Sequence, residues 1–125
     1  MNLTDGGVYS GSTTATLSLT GVNTSYNNYQ YRCQLSNAVC TTPATSSLAT
    51  LTVNSLPAIS SNPSSQTVCS GSTVSFSIAA SGTGISYQWQ VNTGAGFVNL
   101  TDGGVYSGST TATLSLTGVN TSYNN

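Results

Sequence analysis

Apolar and polar residues alternate along most of this chain with the two-residue period of a strand, and no helical period competes with it. From Ser72 to Ala80, Val74, Phe76 and Ile78 fall on one face and Ser75 and Ser77 on the other, which predicts a half-buried strand. After the turn signal Ser81-Gly82-Thr83-Gly84, the residues Ile85, Tyr87, Trp89 and Val91 alternate with Ser86, Gln88 and Gln90. Asn92 to Gly96 reads as the next turn. Ala112, Leu114 and Leu116 predict a further strand, and Ala15, Leu17 and Leu19 predict its twin. Tyr29, Tyr31, Cys33 and Leu35 share one face of a strand whose other face carries Gln30, Arg32 and Gln34. A Ser/Thr-rich loop around Pro43 follows, and Leu48 to Val53 predicts the last strand of that half. Pro57 and Pro63 suit a linker and an edge strand.

The twin strands belong to a longer duplication. Asn2 to Asn28 reads NLTDGGVYSGSTTATLSLTGVNTSYNN, and Asn99 to Asn125 repeats those 27 residues letter for letter at an offset of 97. Identity this complete points to a recent or engineered copy. The period matches one immunoglobulin-type sandwich of about 100 residues and is too long for a propeller blade or a solenoid turn. The chain is therefore expected to hold a little more than one repeat. Residues 1–55 form the later part of one unit, and residues 56–125 form the earlier part of the next. Met1 falls inside a repeat, so either an engineered start or a window cut from a longer array is expected, with any localisation signal elsewhere in the parent protein.

Composition narrows the function. The chain has one Arg, two Asp and no Lys, Glu or His. A single Arg cannot neutralise phosphates, so nucleic acid is not an expected partner. One Asp per repeat cannot form the oxygen cage of calcium, and without His or a CxxC pair no zinc site is expected. Nucleophilic catalysis by the many hydroxyls lacks an activating base, and glycosidase chemistry lacks a carboxylate pair. The chain is expected to be no enzyme and to need no cofactor. No run approaches the roughly 18 apolar residues of a membrane span. The polar composition would suit disorder, but seven Tyr, one Trp and alternating β-branched runs argue for a fold. All-β architecture with an antiparallel sandwich follows from short strands joined by Gly, Asn, Ser and Pro turns.

The residues also resemble the immunoglobulin superfamily. YQYRC at Tyr29 to Cys33 is similar to the Tyr-x-Cys of strand F, and YSGSTTATLSLTGVNTS is similar to strands D and E of variable-type domains. Trp89 in YQWQV stands where that family carries its core Trp on strand C. The resemblance thus assigns strands D to G to residues 1–55 and strands A to E to residues 56–125. It implies a strand B Cys eleven residues before Trp89, but Ile78 stands there, so the usual inter-sheet disulfide is missing and Ile78 is expected to fill the space. More narrowly, SNPSSQTVCSGSTVSFSIAASGTGISYQWQ, with a YRC motif and a further Cys, resembles the Ig-like repeats of very large Bacteroidota surface proteins. That resemblance implies type IX secretion, an extracellular cell-surface location, and adhesion or gliding.

Three cysteines, Cys33, Cys40 and Cys69, allow three single pairings, and an extracellular setting favours at least one bond. Cys33 with Cys40 would staple a hairpin, and Cys40 with Cys69 would close a longer loop with more effect. A bridge between neighbouring repeats is a further option, as is Cys33 as a buried, unbonded apolar residue. The core signature is Trp89, Tyr31 and Ile78. Asp5 and Asp102, in TDGG, read as turn formers, with Arg32 on a solvent face. Asn2, Asn23, Asn99 and Asn120 open N-x-S/T triplets, read as chance matches. Tyr9, Tyr26, Tyr106 and Tyr123 lie near turns and could stack on a sugar. The leading expectation is a spacer of an extracellular fibre or adhesin stalk, partnered by neighbouring repeats or copies. In it, residues 1–55 either fold back to complete the sandwich in a permuted order or complete a neighbouring molecule by head-to-tail strand complementation, unless the chain is a window of a continuous filament. The alternative is a module binding a glycan or cell-surface partner through loops near Tyr9 and Asn37.

Overall fold

The computed structural model describes residues 1–124. The chain is all-β, built of short strands paired into small antiparallel sheets, with two single-turn 3-10 segments among the described residues. It divides into two compact units, Met1–Ser55 and Leu56–Asn125. Among the described residues no helix is long and apolar enough to cross a membrane.

In the first unit, β1 (Tyr9–Ser10) pairs with β2 (Ser18–Leu19), with Tyr9 opposite Leu19. The 3-10 turn Thr24–Tyr26 is capped by Asn23, whose side-chain oxygen accepts from the Ser25 N–H at 2.9 Å. Asn28 then adopts φ 67°, a left-handed conformation that Asn tolerates better than most residues, and its N–H reaches Leu51 O at 2.8 Å. This redirects the chain into a hairpin. Its base joins β3 (Gln30–Tyr31) to β6 (Ala49–Thr50), and its tip joins β4 (Gln34–Leu35) to β5 (Ala44–Thr45). The register steps by one residue between the two pairs, from Gln30 opposite Thr50 to Gln34 opposite Thr45. Ser46 bridges the step: its N–H donates to Cys33 O, and its hydroxyl accepts from the Cys33 N–H, each at 2.9 Å.

This hairpin corrects two expectations. Pro43 leads directly into β5 rather than sitting mid-loop. The face assigned to Tyr29, Tyr31, Cys33 and Leu35 is covered only at Tyr31; Tyr29 and Leu35 are 49% and 66% exposed, and Cys33 is exposed. Alternation cannot hold one face across a register step, and within this unit no second layer lies over the hairpin tip. None of the first unit's residues is fully buried.

The second unit holds the core. β7 (Ala58–Ser61) pairs with β9 (Ala79–Ser81), with a bulge between Ile59 and Ser61. β8 (Val74–Ser77) lies beside β13 (Thr113–Leu116), which also pairs with β12 (Tyr106–Ser107). β10 (Gln90–Asn92) and β11 (Phe97–Asn99) form a hairpin closed by Asn92, whose side-chain oxygen accepts from the N–H groups of Gly94 and Gly96 at 2.8 and 3.1 Å. Val74, Leu100, Leu114, Leu116 and Val119 are buried together, with Phe76, Trp89, Val91 and Tyr106 packed against them. Trp89 ties two sheets, because its indole N–H donates to Thr111 O at 2.8 Å while its backbone N–H donates to Ser109 O at 2.8 Å.

The duplicated segment folds alike in both units. Gly6 and Tyr9 exchange backbone bonds as Gly103 and Tyr106 do, and Thr20 donates to Val8 O at 2.9 Å as Thr117 does to Val105 O. Asp5 accepts from the Ser12 N–H at 2.7 Å, and Asp102 from the Ser109 N–H at 2.8 Å. Burial differs, however. Leu114, Leu116 and Val119 are buried, whereas their twins Leu17, Leu19 and Val22 are only half-buried. The cause is β8: it flanks β13, while β2 has no partner except β1.

Candidate functional site

Two open faces stand out. In the second unit an apolar hollow of about 390 Å³ is lined chiefly by Pro57, Ile59, Ile78, Ile85, Tyr87 and Trp89. It lies beside the chain that enters β10, and β10 has no sheet partner other than β11 among the described residues. Ile78 is half-buried and lines this hollow, and its N–H donates to Ala112 O at 3.0 Å. The other open face is in the first unit, where Leu19, Val22, Tyr31, Ala49 and Leu51 line a shallower hollow of about 300 Å³. Sequence reasoning named Ile78, Tyr31 and Trp89 but missed Pro57, Ile59 and Ile85 as a shared lining. The signal for Pro57 and Ile59 was the apolar run opening the second unit, which reads equally as an edge strand, and that for Ile85 was the alternating run from Ile85 to Val91.

The tyrosines assemble differently in the two copies. In the first unit Tyr9 meets Tyr26 and Tyr31 edge-on at centroid distances of 6.2 and 6.3 Å, and Tyr26 meets Tyr29 at 5.4 Å. The hydroxyls of Tyr9 and Tyr31 lie 3.3 Å apart, and that bond, with burial second, holds the Tyr9 phenol above its ordinary pKa. In the second unit Tyr106 has Tyr123 at 6.1 Å, and Tyr123 is 43% exposed, whereas its twin Tyr26 is half-buried beneath Tyr29. Burial, and then Tyr123, raises the Tyr106 pKa. Tyr29 was read from the sequence as a strand residue beside Tyr31, not as one of the candidate binding tyrosines.

Cys33, Cys40 and Cys69 are all exposed free thiols. Cys33 is thus not the buried apolar residue considered above; the hairpin tip on which it sits is bare. Among the described residues, no group of His, Cys, Asp or Glu side chains could hold a metal ion.

Both carboxylates serve turns. Asp102 is held below its ordinary value of 3.8, chiefly by the Ser109 hydroxyl and then by the Ser109 N–H; Asp5 is lowered first by the Ser12 N–H and then by its hydroxyl. A carboxylate with a lowered folded-state pKa stabilises the fold above its unfolded value and ceases to do so as pH falls through the folded value. Stability of the second unit, read from the fluorescence of its sole Trp, is therefore expected to be flat down to about pH 4 and to fall below it. Asp102→Asn should flatten that acid limb; an unchanged limb would show that the turn carboxylate has no part in it.

No protein-family model matches the chain, and no curated protein matches it.

Proposed function

We propose that the chain is a structural repeat of an extracellular fibre or adhesin stalk, built from immunoglobulin-like sandwiches in tandem and of the kind found in Bacteroidota surface proteins. The observation that carries this reading is the exact 27-residue duplication, whose two copies keep the same turns and hydrogen bonds in different surroundings. A segment that folds alike wherever it is placed suits an array, in which each unit must form beside identical neighbours. The strand pairs support the sandwich: β12-β13-β8 form one sheet, β10-β11 belong to a second, and Trp89 packs from the second onto the first. The near-neutral Ser- and Thr-rich surface gives little nonspecific electrostatic attraction.

Arrays of increasing repeat number, joined in the register set by the duplication, should image as rods that lengthen by a constant increment per repeat. Compact particles, or chains without a regular axial spacing, would overturn the reading. The half-exposed rings of Tyr29 and Tyr123 favour a second reading, a glycan-binding module. It predicts glycan binding that Tyr29→Ala abolishes without unfolding the chain.

A further inference from the structure

Each copy of the duplicated segment puts an Asp directly before a Gly, at Asp5-Gly6 and Asp102-Gly103, and no Asn precedes a Gly anywhere in the sequence. At such a junction the Gly nitrogen can attack the Asp side-chain carboxyl carbon, because glycine has no Cβ to crowd the approach. A bond forms between nitrogen and Cγ, and the amide proton leaves with a carboxyl OH as water, which closes a five-membered imide. Water then reopens the ring. Where it breaks the bond between nitrogen and the main-chain carbonyl carbon, the chain continues through the former side chain as isoaspartate. One water is lost and one regained, so the conversion needs no co-reactant.

The turn requires the susceptible junction. Gly6 and Gly103 have φ 141° and 143°, where an L side chain is strained, so the residue after each Asp is held to glycine. The same turn engages both reacting groups. The N–H groups of Gly6 and Gly103 donate to Tyr9 O and Tyr106 O, each at 2.9 Å. The carboxylates of Asp5 and Asp102 accept from the N–H groups of Ser12 and Ser109, seven residues ahead, at 2.7 and 2.8 Å. To close the ring, the nitrogen must give up its bond and the carboxyl must leave the serine and swing onto its own backbone. The Ser12 N–H and hydroxyl at Asp5, and the Ser109 hydroxyl and N–H at Asp102, also hold each carboxyl below its ordinary pKa. That depletes the neutral acid, the form that loses OH as water most readily.

We propose that Asp5-Gly6 and Asp102-Gly103 are modification sites controlled by the fold, shielded by their glycine and serine hydrogen bonds while the turn is closed and converted to isoaspartate in a unit that stays open. Isoaspartate adds a methylene to the backbone and moves the carboxylate onto the Cα, so the bond to the serine cannot re-form in the same register. A unit left open for long is thereby marked and does not regain the turn.

The test incubates the full chain, kept reduced, at neutral pH, both folded and in concentrated denaturant. An endoproteinase that cuts before Asp but not before isoaspartate reads the conversion, and the mass of the uncut product tells Asp5 from Asp102, the chain's two acidic side chains. Both sites should convert at least about ten-fold more slowly in the folded chain, because opening a turn breaks two hydrogen bonds, one of them to a charged group. Equal rates in the two conditions, or no conversion in denaturant, overturn the proposal. Ser109→Ala removes the hydroxyl at Asp102 and leaves Asp5 as a reference in the same chain. Its Asp102 should convert several-fold faster than its unfolded fraction, read from Trp89 fluorescence, multiplied by the rate in denaturant. A rate no greater than that product overturns the part given to the serine hydroxyl.

Discussion

Leu114→Ala should cost the second unit about 2–5 kcal/mol, enough to remove most of the stability of so small a core, whereas Leu17→Ala should cost the first unit no more than about 1 kcal/mol. The two leucines occupy the same position of an identical 27-residue sequence, so propensity, neighbours in sequence and unfolded-state behaviour are matched. Only the surroundings differ. Leu114 is 5% exposed, lies opposite Phe76 of β8, and joins Val74, Leu100, Leu116 and Val119 in one cluster. Leu17 is half-buried against no such layer. Denaturant unfolding followed by Trp89 fluorescence for the second unit, and by exchange protection of the Leu51 N–H, which donates to Tyr29 O, for the first, measures both. Equal losses would mean that the segment carries its stability locally and that β8 contributes little.

A second large loss is expected from Gly108→Ala. Gly108 has φ +79°, and a Cβ added there would lie 2.3 Å from Thr113 O and 3.0 Å from the Thr111 hydroxyl. Thr111 holds that turn closed by donating from its N–H and its hydroxyl to Gly108 O, so the backbone cannot yield without opening the approach to β13. Left-handed strain and the clash together should cost about 3 kcal/mol or more. Gly104→Ala is the matched comparison: φ is +59° and nothing lies within 4 Å, so strain alone should cost about 1 kcal/mol. Similar losses at the two glycines, measured by the same unfolding transition, would show that the close approach to Thr113 relaxes freely.

The pattern of β8, β10 and β13 was legible because those strands have a covered side, which β7 and β11 lack. Val74, Phe76 and Ile78 turn inward and Ser75 and Ser77 outward as their alternation predicts, and the same holds from Ile85 to Val91. Burial against a layer is what makes a period of two meaningful. The hairpin of the first unit was read less well for the converse reason. A one-residue register step, bridged by the Ser46 hydroxyl, leaves no mark on hydrophobicity, and exposed Leu35 looks like a core residue in a list of letters. The open hollow was illegible as a feature, since its lining comes from residues as far apart as Pro57 and Trp89 and is defined by what does not cover it. The tyrosines near turns were found, but their edge-on packing depends on which neighbours the second element brings, so identical letters gave a half-buried Tyr26 and an exposed Tyr123.

The capture of both carboxylates by turn N–H groups bears on how the proposed array would respond to its medium. With those charges committed to local dipoles and a single Arg remaining, there is little long-range repulsion or attraction for dissolved ions to screen. A rod of these units should therefore keep the same stiffness and spacing in fresh water and in brine, where a highly charged polymer would swell in one and shrink in the other.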